Sequence, residues 1–243
     1  MIVGRVSELW WYPVKSFLGQ TVDQVIVRPE GIPGDRGLAL ADARSGRVLS
    51  AKHVHKLLEG RFESSKFLLP DGTTFSEDDP EAVDELSSWL GRAVRIVRAA
   101  GDDNRPEIEG EEGEVFRGEP GGLHDDSPVH LVTTSTLAHL TSLYPSGKFD
   151  PRRFRPNMVI DTGDAEGPVE QSWVGRTIRI GEAVLDVTKP CHRCVITTLP
   201  QAQLSHDPGI LRTVNQLADR ETGVYVLARA DATVSVGDDV SVD

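Results

Sequence analysis

Cysteine is almost absent from this chain: Cys191 and Cys194 are the only two thiols among 243 residues. Two thiols so close together cannot build the network of bridges on which a small secreted domain relies, and a reducing compartment, the cytoplasm, is the expected location. They are also too few for an iron–sulfur domain, whose clusters take four. An apolar run of roughly 20 residues, enough to cross a bilayer as a helix, is missing. No basic stretch followed by an apolar core opens the sequence, so neither membrane insertion nor export is expected. Positive charge is scarce as well. The 26 Lys and Arg face 38 Asp and Glu, a formal charge of −12, which excludes the basic footprint of a general nucleic-acid binder. Nucleotide-binding glycine spacing and the Gly-x-Ser-x-Gly elbow are both lacking, so phosphate-loop chemistry and serine hydrolysis have no support.

What is present is a period of two, β-branched residues and frequent Gly or Pro. Hydrophobic residues make up 38% and charged residues 26% of the chain, in the range of a globular protein. Strands are predicted over 3–11, 22–27, 37–42, 67–69, 94–98, 129–133, 157–161, 177–180, 184–187, 223–228 and 232–236. Short helices are predicted over 53–58, 80–90, 135–144 and 208–217. The fold class is mostly β, a β-barrel arrangement with peripheral short helices. Residues 101–126 carry ten carboxylates against Arg105 and Arg117. With their Gly and Pro, they read as an acidic mobile loop or linker. It separates a module over 1–100 from one over 127–243.

Four clusters carry candidate chemistry. Tyr12-Pro13-Val14-Lys15-Ser16 places a lysine and a hydroxyl at a strand end, which suits a phosphate or a plain turn. In Gly31-Ile32-Pro33-Gly34-Asp35-Arg36-Gly37 the glycines and Pro33 fix a tight path, with Asp35 set either to orient Arg36 or to form a surface pair of little worth. Lys148, Arg152, Arg153 and Arg155, around Pro151 and Asn157, form a basic spot in an acidic chain. It reads as a local anion site or a solvated face. The fourth is Lys189-Pro190-Cys191-His192-Arg193-Cys194-Val195-Ile196-Thr197-Thr198. A thiolate is a strong nucleophile and a soft-metal ligand, favoured by neighbouring cations such as Lys189 and Arg193. A structural zinc site, a redox pair and an inert buried thiol compete with that reading. The β-branched residues after Cys194 favour a strand.

In their order and spacing these clusters resemble the MOSC-domain family with its N-terminal β-barrel partner, and among its members the soluble bacterial relatives of the mitochondrial amidoxime-reducing component. The likeness runs from about Val6 to Val242. It is carried by Tyr12-Pro13-Val14-Lys15-Ser16, Gly34-Asp35-Arg36, Phe154-Arg155-Pro156-Asn157, Trp173-Val174-Gly175, Cys191-His192-Arg193-Cys194 with Thr197-Thr198, and Val236-Gly237-Asp238-Asp239-Val240. The resemblance implies an N-terminal MOSC-associated β-barrel domain over 1–100 and a MOSC domain over 127–243. It also implies a molybdenum cofactor, the metal held by a pterin dithiolene, with Cys194 as metal ligand and catalytic residue and Cys191 near the site but not a ligand. Lys15, Ser16, Arg36, Arg155 and Asn157 match positions that hold the pterin and its phosphate. Lys52, Ser135 and Arg193 are further cofactor-binding candidates. The implied activity is reduction of small N-hydroxylated substrates, amidoximes or hydroxylamines, with electrons from a separate donor protein of ferredoxin or flavoprotein type. The alternative is a non-enzymatic cofactor-binding or sulfur-carrier protein with a persulfide on Cys194. Leu199-Pro200-Gln201 stands where the family often has an acidic residue and then proline, which bears on substrate preference.

Overall fold

A computed structural model describes residues 1–99, 106–109, 113–117, 122–217 and 221–243. They form two compact units. One comprises Met1–Trp11, Thr21–Pro33 and Ser127–Asp243, the other Tyr12–Gln20 and Gly34–Asp126. Residues 1–11 and 21–33, early in sequence, therefore cluster with the C-terminal half.

The first unit is a closed barrel of seven strands. In spatial order they are Met158–Asp161, Val129–Thr133, Glu221–Ala228, Ala183–His192, Thr177–Ile180, Asp239–Val242 and Ile2–Trp11, and Ile2–Trp11 pairs back onto Met158–Asp161. Closure brings the backbones of the first and last strands close together. A Cβ at Gly4 would lie 2.5 Å from the Asp161 carbonyl oxygen, so only glycine fits there. One neighbouring pair, Val129–Thr133 with Met158–Asp161, is parallel. A parallel pair needs a long crossover, supplied by helices Thr134–Leu143 and Pro151–Phe154. Thr133 starts the first helix by accepting the Thr136 amide, and Asp150 starts the second by accepting from the Arg152 amide, with Pro151 in the first turn. Alternating Val, Ile and Leu fill the barrel, among them Leu9, Leu131, Ile160, Ile178 and Val226, all buried.

The second unit pairs Leu38–Asp42 with Val94–Arg98 and carries a three-stranded sheet of Arg61–Glu63, Lys66–Leu68 and Thr74–Ser76, with helix Ala82–Leu90. Phe67 is the hub of its core. Its ring lies 4.9 Å from Phe62, 5.5 Å from Phe75 and 6.0 Å from Phe17. Part of the stretch expected to be a mobile linker is ordered: Glu107–Glu109 pairs antiparallel with Val115–Arg117. Ile108 is the reason, an apolar residue between acids that packs with Ala39, Val48 and Leu123. Asp102, Asp103, Glu111, Glu112 and Glu119 of that stretch lie outside the described residues.

Strands at Val94–Arg98, Val129–Thr133 and Thr177–Ile180 and the helix Pro208–Leu217 fall on their predicted spans. The strands Arg61–Glu63, Thr74–Ser76 and Asp239–Val242 were not predicted. They are three or four residues long, too short for a period of two to register. Among the described residues no helix is long and apolar enough to cross a membrane. Phe67→Ala is expected to cost about 3–5 kcal/mol of stability in urea unfolding; a cost under about 1 kcal/mol would show that the three ring contacts do not hold this core.

Candidate functional site

In the barrel unit the cysteine run lies at the end of a strand. The strand Ala183–His192 contains Cys191, and its pairing to Glu221–Ala228 shifts register between Pro190 and His192. The four residues after Cys194, expected to be a strand, form a single 3-10 turn, Val195–Thr198. Side-chain hydrogen bonds decide the matter. The Thr197 amide and hydroxyl both donate to the Cys194 carbonyl, at 3.2 and 3.0 Å, and the Thr198 hydroxyl donates to Val195 O at 2.8 Å. Such local bonds compete with β pairing.

Cys191 is 1% exposed, Cys194 is half-buried, and the two form no disulfide. Between them Arg193 is nearly buried. It donates to Cys191 Sγ and to the Phe154 carbonyl, and its guanidinium lies 5.5 Å from the Phe154 ring. Burial works against its charge, but Cys191, Tyr225 and Cys194 hold its pKa above the ordinary value. Its Nε, also buried, has no hydrogen-bond partner among the described residues. Lys189 lies over the Tyr225 ring at 5.8 Å.

Arg155 follows Phe154 directly. It ends the helix Pro151–Phe154 in the left-handed conformation, φ 53°, with its amide on Pro151 O at 3.0 Å. The basic spot around it is largely spent internally: Arg152 pairs with Asp150 at 2.7 Å and Arg153 is buried on carbonyls. Asn157 is buried and joins strands: its Oδ1 accepts the His130 amide at 3.2 Å and its Nδ2 donates to Trp10 O at 3.3 Å. Ser135 is buried too, its hydroxyl 3.0 Å from Thr133 Oγ1. Thr133 and Thr136 both donate to Glu170, at 2.6 and 2.7 Å. Glu170 is fully buried, and burial pushes its carboxyl above the ordinary pKa despite those bonds. Nothing in the sequence signalled it, since a single acid before an aromatic has no pattern.

In the second unit Lys15, Ser16, Arg36 and Lys52 share one network. Lys15 Nζ donates to Leu123 O at 2.8 Å and to Asp125, and Lys52 Nζ meets the other oxygen of Asp125 at 2.9 Å. Arg36 lies 4.3 Å over the Tyr12 ring and pairs with Asp35, whose other oxygen accepts the Tyr12 amide at 2.8 Å. Asp35 therefore orients Arg36, as the sequence suggested. Ser16 Oγ accepts the Ala51 amide at 3.0 Å. Ser16 and Arg36 both have positive φ, 67° and 47°, uncommon outside glycine. Burial lowers the pKa of Lys15, helped by Lys52 and Arg36 and opposed by Asp125. Partial burial works against Asp125, yet Lys15 and Lys52 hold its carboxyl below the usual range. His124 and Asp125, not singled out by sequence, complete the cluster. Burial, then Arg36 and Lys15, hold the His124 imidazole well below its ordinary pKa. Its Nε2 has no hydrogen-bond partner among the described residues. A Cβ on Gly122 would come within 2.2 Å of that nitrogen, so the backbone can pass there only as glycine. Three cations against Asp35 and Asp125 leave the cluster positive, which suits an anion.

Comparison with known proteins gives consistent matches. Residues 118–241 match the family model of the MOSC domain, and residues 3–92 that of the MOSC N-terminal beta barrel domain. The chain is 32% identical to a molybdenum cofactor sulfurase of Drosophila grimshawi over 91% of its own length and 32% of that protein's. It is 25% identical to mitochondrial amidoxime-reducing component 1 of Homo sapiens, over 81% of this chain and 66% of that one. The chain thus spans under two thirds of each of these curated relatives. The crystal structure of the YUAD protein from Bacillus subtilis shares the fold, with a TM-score of 0.52 at 13% identity, covering 98% of this chain and 94% of that one.

The neutral His124 has a measurable consequence. A histidine whose folded pKa is depressed takes up its proton in the unfolded chain first, so stability falls as pH drops below about 6.5 toward the folded value. The slope from this one group is at most about 1.4 kcal/mol per pH unit. Urea unfolding at several pH values between neutral and mildly acid should show a steeper acid loss in the parent than in His124→Gln. Equal slopes would mean that the imidazole is not held neutral.

Proposed function

The chain belongs to the MOSC family, and on that premise we propose that it is a molybdenum-cofactor-dependent oxidoreductase that reduces small N-hydroxylated compounds. The observation that carries this reading is a half-buried thiol outside any disulfide, Cys194, presented just past a strand end beside a buried guanidinium. A soft thiolate suits a soft metal, and a neighbouring cation favours the thiolate. Each unit, taken by itself, offers donors of the kind such a cofactor takes. Arg193 keeps a buried N–H without a partner among the described residues, and the cluster of Lys15, Arg36 and Lys52 carries a positive excess suited to a phosphate. The name of one relative, an amidoxime-reducing component, supports the substrate class.

In this reading Cys194 ligates the metal. Arg193 holds negative charge on the sulfur side, and Arg155 neutralises the anionic cofactor. Lys15, Arg36 and Lys52 answer the phosphate charge, each already oriented by a carboxylate or a carbonyl, so little reorganisation accompanies binding. Ser16 fixes the turn that carries Lys15. Asn157 acts through the backbone it holds, and Ser135 through the hydroxyl network around Thr133. When bound, the cofactor supplies the two-electron chemistry, and the protein supplies binding, orientation and electrostatics. Electrons arrive from a separate donor protein of ferredoxin or flavoprotein type.

A second reading rests on the sulfurase relative, 32% identical over 91% of this chain: a cofactor-binding or sulfur-carrier protein with a persulfide on Cys194. Elemental analysis of protein made with a molybdenum-cofactor supply, paired with benzamidoxime reduction by a chemical electron donor, separates the two. Near-stoichiometric molybdenum is expected, lost in Cys194→Ser and kept in Cys191→Ser. Equal loss in both variants would assign the wrong thiol, and a persulfide without metal would favour the carrier. Arg155→Ala is expected to lower retention of the pterin on gel filtration by about tenfold or more, the effect of losing one charge-assisted contact. Unchanged retention would remove Arg155 from the site.

A further inference from the structure

Arg153 has no role in the reading above, yet every nitrogen of its guanidinium donates to a backbone carbonyl. It is 1% exposed. Its Nε donates to Lys148 O at 2.9 Å, Nη1 to Thr197 O at 3.1 Å and Leu199 O at 3.3 Å, and Nη2 to Ser205 O at 2.8 Å. A guanidinium out of water is costly unless fixed acceptors replace the solvent. Here the acceptors are backbone carbonyls, so what the buried charge fixes is the path of the chain. A fork of five N–H groups in one plane can hold several carbonyls at once, and an ammonium cannot.

Two of those carbonyls follow Cys194 closely. Thr197, whose carbonyl Arg153 holds, gives its own amide and hydroxyl to the Cys194 carbonyl. On the other side of the thiol, Arg193 donates to the carbonyl of Phe154, the residue after Arg153. The one-turn helix Pro151–Phe154 therefore grips the thiol loop both before and after Cys194, and its next residue is Arg155. We propose that Arg153 is a positioning residue for the Cys194 thiol: by pinning the carbonyls of Thr197 and Leu199 it sets the turn that presents the sulfur and ties that turn to Arg155. This rests on Cys194 being the working thiol. Its test reads the thiol with no cofactor present, so a failed cofactor assignment and a failed clamp give different results.

The test uses a Cys191→Ser background, in which Cys194 is the only thiol, and measures alkylation by iodoacetamide in low urea. Arg153→Lys keeps the charge and loses the fork. Cys194 should react about tenfold faster than in the parent, since at least one hydrogen bond to a charged donor is lost. The rate should not depend on urea below the unfolding transition, as expected for a local opening. Arg152→Lys, whose residue pairs with the half-exposed Asp150, should leave the rate unchanged. An unchanged or slower rate in folded Arg153→Lys overturns the proposal, as does a rate that rises with urea along the slope of global unfolding. A measurement on the unmodified chain stands even if the variant does not fold. The Arg153 Nε–H should give a separate NMR signal that exchanges far more slowly than that of exposed Arg229; matching exchange rates overturn the clamp.

Discussion

A cation removed from water must find fixed acceptors, and the local structure of both candidate clusters follows from how that demand is met. Arg153 meets it with four carbonyls. Arg193 meets it with a sulfur and a carbonyl. Lys15 meets it with the Leu123 carbonyl and Asp125, and Arg36 with Asp35 and the face of Tyr12. None of these arrangements is cheap, because ion pairs and hydrogen bonds in a low-dielectric interior only balance the desolvation they require. Each is therefore weak evidence for stability and stronger evidence that a backbone path or a charge is being held for use.

The two clusters use this constraint differently. Around Cys194 the cations grip carbonyls, and the gain is geometry. The β-branched run after the cysteine would pair as a strand on propensity alone. It turns because two threonine hydroxyls and one buried guanidinium offer its carbonyls closer partners. Around Lys15 the cations meet carboxylates, and the gain is a local field. Three positive groups share two acids, and their field adds to burial in holding the neighbouring His124 imidazole well below its ordinary pKa.

The sequence made the fold class legible because period-two alternation persists through Val94–Arg98, Val129–Thr133 and Thr177–Ile180, and because a proline begins the helix at Pro208. It also exposed the residue types of the site, since a lone cysteine pair and a lysine after a strand stand out against a sparse background. Long-range partnership was not legible. Arg153 looked like one more cation in a basic spot, and only the folded chain brings the carbonyls of Thr197, Leu199 and Ser205 to it. Asp125 looked like one of ten acids in a solvated stretch, yet it bridges Lys15 and Lys52. Glu170 had no pattern, because its partners are hydroxyls 34 and 37 positions away.

Counting donors separates residues that serve the fold from those with capacity to spare. Asn157 accepts the His130 amide on its Oδ1 and donates its Nδ2 to Trp10 O, so its side chain joins strands of the barrel. Ser135 is tied into the hydroxyl network of Glu170. Lys15, in contrast, has three N–H donors and among the described residues spends two, on Leu123 and Asp125. Asp125 is itself a third exposed, its carboxylate open to solvent while its charge is answered by two lysines. An anion entering that cluster would compete with a carboxylate that belongs to the chain. Its net gain would be the difference between two charge-assisted pairs rather than the whole of one. Such a cluster favours ligands of higher charge, because a dianion can outbid a monoanionic carboxylate where a second carboxylate cannot. The same carboxylate that holds the lysines in place thereby sets the threshold of charge an incoming group must exceed.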